Sequence, residues 1–240
     1  MSARVVLVHG AWHGAWCWDA VVEGLRAEGV TADAVDLPGH GDDTRPLTDL
    51  YGDAARVTAA LDALATVEDD PVVLVGHSYG GAIITEAGND PKVAGLVYIC
   101  AFQPDANETL LSLLQAGPPA PNSGILPPDQ NGYVWYDMAK YHSGFCADLP
   151  REQAAFLADS QIPVNASVFG ASIAQPAWKT KPSWYVIGTE DQTIPPDGQR
   201  FMAKRAGSKV TEIKGSHLVF MSRPKEVADV IETAAKAAVK

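Results

Sequence analysis

Three residues, far apart in the chain, have the types and settings that acyl transfer requires: Ser78, an acid near Asp191, and His217. Ser78 stands in Gly76-His77-Ser78-Tyr79-Gly80, straight after the apolar run Val72-Val73-Leu74-Val75. Gly-x-Ser-x-Gly between a strand and a helix is a nucleophile elbow, a strained turn that lifts a serine hydroxyl above the edge of a sheet. A Cβ at Gly76 or Gly80 would collide with backbone in so tight a turn. A serine hydroxyl is a weak nucleophile alone; it needs a base, and the base needs a carboxylate to orient it. His217 ends Lys214-Gly215-Ser216-His217, beyond the last predicted strand, and Asp191 ends Gly188-Thr189-Glu190-Asp191, beyond the strand before it. Serine, acid, histidine is the chain order of such a triad on a parallel sheet. The acid has rivals in Glu190, Asp197 and Asp105, all on loops. His77, His13 and His40 compete less well with His217, because none follows a late strand.

The chemistry also needs two N–H donors for the developing oxyanion, one after the nucleophile and one from an early loop. The loop His9-Gly10-Ala11-Trp12-His13-Gly14 follows the first predicted strand, so the donors are expected to be the N–H groups of Ala11 and Tyr79. Gly10 lets the loop come close, and His9 is expected to brace it by hydrogen bonding. Trp12, beside Ala11, reads equally well as a pocket wall or as packing, whereas Trp16 and Trp18 read as helix packing. His40 and Asp36 lie in Asp36-Leu37-Pro38-Gly39-His40-Gly41, a turn sequence, and a structural role is expected. The histidines show no ligand spacing, so neither a metal nor a cofactor is expected.

Positioning these groups requires alternating strands and helices. Strands are expected at 4–8, 31–35, 72–75, 93–100, 184–187 and 209–213. Helices are expected at 16–28, closed by Gly29, at 48–64, at 79–88, near 196–205 and at 224–238. Leu50, Ala54, Val57, Leu61 and Leu64 give the second helix an apolar stripe. The alternation predicts an α/β fold: a mostly parallel sheet of about six strands, covered by helices on both faces. The rhythm breaks between 103 and 181, where Gly117-Pro118-Pro119-Ala120-Pro121 and Pro127-Pro128 punctuate short segments without a β-branched strand. This stretch is expected to be a helical cap inserted into a core of residues 1–102 and 182–240, with short helices at 107–115, 133–141 and 150–160. Caps shape pockets and exclude water. Trp135, Tyr136, Phe145 and Phe156 are candidates for its pocket lining or its internal packing.

Composition narrows the field. The 240 residues are 47% apolar and 20% charged, ordinary for a globular protein. A net charge of −11 disfavours nucleic acid or an anionic membrane as partner. Cys17, Cys100 and Cys146 form no ligand or disulfide pattern and read as thiols of a reducing compartment. No apolar run approaches the ~20 residues that span a bilayer. With a strand starting by Arg4 there is no room for a signal peptide, so a cytoplasmic monomer or homodimer is expected, and the sequons at Asn107 and Asn165 carry no meaning.

VLVHGAWHGAW, VVLVGHSYGG, ICAFQPD, VIGTEDQTIPP and EIKGSHLVFMSRP together resemble the α/β-hydrolase fold family. The resemblance is specifically to its small branch of plant methylesterases, hydroxynitrile lyases and bacterial esterase relatives. It runs nearly end to end and is loosest across 107–181. It implies Asp191, rather than Glu190, as the acid. It also implies that the first two strands of the larger fold are missing, as in this branch. The activity it implies is hydrolysis of small to medium carboxylic esters by a serine esterase. Haloalkane dehalogenases and epoxide hydrolases, which attack with aspartate, are excluded by Ser78. Hydroxynitrile lyases of the branch carry threonine in the oxyanion loop and lysine after the histidine. Here those positions are Gly10 and Leu218, which favours the esterase; Leu218 would then border the substrate. A ligand receptor on the same scaffold is the third possibility.

Overall fold

The apolar runs assemble into one sheet. In a computed structural model that describes residues 3–65 and 70–239, β1 (Arg4–Val8), β2 (Ala32–Val35), β3 (Val72–His77) and β4 (Val93–Ile99) alternate with helices. The helices are α1 (Asp19–Ala27), α2 (Leu50–Ala65) and α3 (Tyr79–Ala87). After a long excursion the sheet resumes with β7 (Ser183–Gly188), α7 (Pro196–Ala206) and β8 (Lys209–Ile213), and α8 (Val219–Ser222) and α9 (Pro224–Ala237) close the chain. The six strands run parallel in the order β2-β1-β3-β4-β7-β8.

β3 and β7 are buried along their whole lengths, as strands covered on both faces must be. α9 packs on α1 and against β1, β3, β4 and β7, while α2 packs on α3, which lies against β1, β3 and β4. Helices therefore cover both faces. The chain moves outward from β1 to β2 and then returns to β3 on β1's other side. The strand order thus reverses between β1 and β3, and the loops leaving their C-terminal ends splay apart. That crevice is where open α/β sheets place their ligands. Here it is flanked by the loop after β1 and by Ser78.

β4 and β7 are neighbours in the sheet although some eighty residues separate them, so the intervening segment is an excursion from a continuous sheet. It holds α4 (Leu110–Gln115), β5 (Tyr133–Val134), α5 (Arg151–Asp159), β6 (Val164–Asn165) and α6 (Ser167–Gly170). Three expectations are corrected here. Residues 133–141 are not a helix: Tyr133 and Val134 pair antiparallel with Asn165 and Val164, and a 3-10 turn and a π turn (Tyr141–Phe145) follow. The segment therefore contains a small sheet, too short to show alternation in sequence. α4 starts at Leu110 rather than 107 because Thr109 and Ser112 form a reciprocal capping box. Likewise, a 3-10 turn (Ala15–Trp18) precedes α1, so that helix begins at Asp19.

Candidate active site

Ser78 adopts φ 53° and ψ −120°, a conformation that costs a non-glycine residue about 1–3 kcal/mol. The surroundings enforce it. Its N–H donates to Ile99 O at 3.2 Å, and its carbonyl accepts from Gly81 N and Phe102 N, both at 3.0 Å. The elbow has no spare volume: a Cβ at Gly76 would lie 2.5 Å from Gly80 O, and one at Gly80 would lie 2.6 Å from Val8 O.

The turn after β7 and the turn after β8 meet. His217 donates Nδ1–H to Asp191 Oδ2 at 2.7 Å, with both side chains fully buried. The same Oδ2 accepts from Gln199 Nε2 at 2.7 Å, and Oδ1 accepts from the N–H groups of Thr193 (2.7 Å) and Ile194 (3.0 Å). Four donors thus fix one carboxylate. With Nδ1 committed as donor, the imidazole's lone pair is at Nε2, which is buried and has no hydrogen-bond partner among the described residues. Glu190, one residue earlier, points to solvent, where it pairs with Lys214 at 3.7 Å. Asp197 and Asp105 are likewise paired elsewhere, with Arg200 and Lys179.

The β1 loop is braced much as its histidine suggests. His9 donates Nδ1–H to Gly10 O at 2.8 Å and accepts from Leu37 N at 3.1 Å, so the loop after β1 is tied to the loop after β2. Burial first, then His40, holds His9 neutral, with its pKa pushed down to about 3. His13 also falls to about 3, through burial and then His217 and His40; its Nε2 lies 2.9 Å from Tyr141 Oη. Asp36 accepts from Ala15 N and Asp42 N, and His40 donates to Pro38 O, so both serve the turn. The N–H of Ala11 makes no hydrogen bond to any described residue. Tyr79 opens α3, where the first N–H groups have no partner within the helix. Trp12 is 2% exposed, has φ 69°, and donates Nε1–H to Val134 O at 2.9 Å. It packs edge-on against Tyr136 and Phe145.

A buried carboxylate absent from the sequence reading stands behind the elbow. Tyr79 donates its hydroxyl to Asp53 Oδ2 at 2.6 Å, and Thr48 donates to Oδ1 at 2.6 Å. Burial raises the Asp53 pKa, against the pull of those two donors. Its position was open to inspection, since Asp53 interrupts the apolar stripe of α2 between Leu50 and Ala54. Gln199, which holds Asp191, gave no such signal.

Phe145 lies edge-on to His217 with centroids 4.7 Å apart, and it is fully buried with Tyr136 and Tyr141. Leu218 is buried as well. Trp135 is instead 37% exposed, in a groove with Leu126, Tyr136, Met138 and Gln161 whose lining includes none of Ser78, Asp191 and His217. Phe156 is 66% exposed, so it serves neither a pocket nor the packing of its segment. An apolar cleft of about 300 Å³ opens beside the site, walled by Phe102, Leu113, Leu114, Ile194, Phe201 and Met202. Two of those residues are backbone-bonded to Ser78 and Asp191, as described above. Among the described residues, no cluster of His, Cys, Asp and Glu could hold a metal ion, and no helix is long and apolar enough to cross a membrane.

Comparison with known proteins agrees with this architecture. The family model described as "Alpha/beta hydrolase family" matches residues 5–230. A carbendazim hydrolyzing esterase of Nocardioides sp. (strain SG-4G) is 27% identical over 95% of this chain and 97% of its own. Methylesterase 4 of Arabidopsis thaliana is 30% identical over 97% of each chain. The crystal structure of a pyrethroid hydrolase from Sphingobium faniae JZ-2 superposes with a TM-score of 0.84, at 28% identity, over 99% of this chain and 98% of that one.

Proposed function

Because this chain belongs to the alpha/beta hydrolase family, we propose that it is a serine carboxylesterase that cleaves small to medium carboxylic esters through an acyl-enzyme. Ser78 Oγ attacks the acyl carbon and its proton passes to His217 Nε2. The oxyanion accepts hydrogen bonds from the N–H groups of Ala11 and Tyr79. Collapse expels the alcohol, protonated by His217, and leaves Ser78 acylated. Water then attacks, giving its proton to His217, and a second collapse returns that proton to Ser78 and releases the acid. Asp191 holds the imidazole in the tautomer this requires. Residues 103–181 act as the cap, with Phe145 keeping water from the imidazole and Trp12 tying the oxyanion loop to Val134.

The observation that carries this reading is the pairing of His217 Nδ1 with Asp191 at 2.7 Å, which leaves Nε2 buried and unspent, together with the strained backbone of Ser78 in its elbow. Ser78 Oγ and Nε2 share no hydrogen bond in the free protein; such bonds commonly tighten in the substrate complex. Relatives named as an esterase and a methylesterase support ester substrates. Three buried thiols outside any disulfide support a reducing compartment such as the cytoplasm. The test is a serine-directed organophosphonate, followed by mapping of the adduct and a panel of esters of graded acyl length. An adduct elsewhere than Ser78, or full ester turnover by Ser78→Ala, would sink the assignment.

Gly10 weighs against the lyase reading. A Cβ there would lie 2.8 Å from Ser78 Cβ and 2.9 Å from His77 Nδ1, so a threonine has no room. A receptor with little turnover is the remaining alternative, and the same ester panel separates it from an enzyme.

A further inference from the structure

We infer that Asp148, in the segment between β4 and β7, is a positioning residue for His217, its carboxylate clamping the main chain that carries the imidazole. The inference rests on the esterase reading given above. Three donors converge on this one side chain, and they lie on both sides of His217 in sequence. Ser216 N donates to Oδ2 at 3.0 Å, Ser216 Oγ donates to Oδ1, and Ser222 Oγ donates to Oδ2 at 2.6 Å. Ser216 Oγ also reaches Phe145 O at 3.3 Å and accepts from Leu218 N at 3.3 Å.

Residues 145–148 therefore act on His217 twice. Phe145 covers its ring and Asp148 holds its backbone. The clamp matters because 214–218 is a loop beyond β8, an outermost strand paired on one side only. Asp191 fixes the ring's tautomer and one end of its hydrogen bonding, while the loop's main chain is held by Glu190 N to Gly215 O at 2.9 Å, by His77 Nε2 to His217 O at 3.0 Å and by the Asp148 clamp. Burial works against a charge on Asp148, yet the bonds from Ser216 and Ser222 outweigh it and keep the carboxyl below its usual range. The clamp is consequently ionised at neutral pH. Misplacing a proton-transfer group by an ångström costs on the order of 10²-fold in rate.

A staple that merely stabilised the loop would not distinguish one ester from another. A misaligned imidazole would, because an alkoxide must be protonated as it departs and a nitrophenolate need not be. The experiment compares ethyl and p-nitrophenyl esters of one acid, reading kcat/KM, which reports acylation. Asp148→Ala should lower kcat/KM for the ethyl ester by about 10–100-fold and for the nitrophenyl ester several-fold less, with KM for the ethyl ester nearly constant. Asp148→Asn keeps one acceptor oxygen and should recover part of the loss. Ser222→Ala removes the exposed bond to Asp148 and a longer contact to Val219 O at 3.3 Å, and should show a weaker form of the same split. It carries the test if Asp148→Ala does not fold. Equal losses on both esters, a loss confined to KM, or wild-type rates in the folded variants would overturn the clamp. Wild-type protein that turns over neither ester and takes no label at Ser78 would instead overturn the hydrolase reading.

Discussion

His77, the residue before Ser78, donates its Nε2–H to the main-chain carbonyl of His217 across 3.0 Å. The elbow and the histidine loop are thus joined directly, through a ring packed 4.7 Å from the His217 ring and 4.7 Å from Phe220. Burial first, then the neighbouring His217 and His13, holds the His77 pKa well below its usual value, so the donor stays neutral. Truncation by His77→Ala removes the bond and opens a cavity. A destabilisation of about 2–5 kcal/mol is expected, read from urea unfolding, with kcat falling more than KM rises.

The acid assignment yields a contrast between neighbours. Asp191→Asn should lower kcat by about 10⁴-fold through the wrong tautomer, and His217→Ala by at least as much. Glu190→Gln should leave kcat within about threefold, since its partner is a solvent-exposed lysine. Steady-state kinetics on all three variants decide the matter. A damaging Glu190→Gln beside a mild Asp191→Asn would reassign the acid.

Acid should destabilise the fold through its buried neutral histidines. His9 and His13 titrate near 3 in the folded chain and near 6.5 when unfolded. Between those values the unfolded state binds more protons, so stability falls as pH drops from about 6.5 towards 3. At pH 4.5 each histidine has cost about 2–3 kcal/mol relative to pH 7, together a large share of an ordinary domain's stability. Urea midpoints measured at both pH values check this, and His13→Gln should flatten the dependence.

Asp53 and Tyr79 should be strongly coupled. Tyr79→Phe leaves a buried carboxylate short of a donor and should cost about 1–3 kcal/mol. Replacing both by apolar residues, Asp53→Leu with Tyr79→Phe, should cost less than the sum of the single changes. A double-mutant cycle in urea reads the coupling. Asp53 also has its own pH signature: its pKa is raised in the folded state, so its share of stability declines as pH rises through its titration, opposite in sign to the histidines.

Gly10→Thr tests the reading against the lyase. With Ser78 Cβ and His77 Nδ1 both under 3 Å from the new Cβ, the variant should lose esterase activity and gain no cyanohydrin cleavage. A gain would reverse the preference.

What is legible in such a sequence depends on the range of the interaction. Val72-Val73-Leu74-Val75 declares a strand buried on both faces. Gly76 and Gly80 declare an elbow, because local backbone contacts forbid any other residue there. The order of Ser78, Asp191 and His217 is readable because each follows a strand that reads clearly. Tyr133 and Val134 are different: their partners are thirty residues away, and no local pattern distinguishes a two-residue strand from a helical turn. The clamp of Asp148 on Ser216 joins residues 68 apart in sequence, between an irregular loop and a turn, and no periodicity announces it. Asp53 lies between these cases. Its polar intrusion into an apolar stripe is visible, but its partner Tyr79 is not.

The placement of β8 at the rim of the sheet has a thermal consequence. Its residues Lys209 to Glu212 are exposed, and its charged side chains discourage pairing with another chain's edge. An outermost strand is also where hydrogen exchange finds the earliest local opening. Because His217 follows directly from that strand, fraying of β8 would carry the imidazole away from Asp191 while β1, β3 and β4 remain paired. On slow heating, ester turnover should therefore vanish several degrees before the circular dichroism of the sheet melts, and it should return on cooling from that interval.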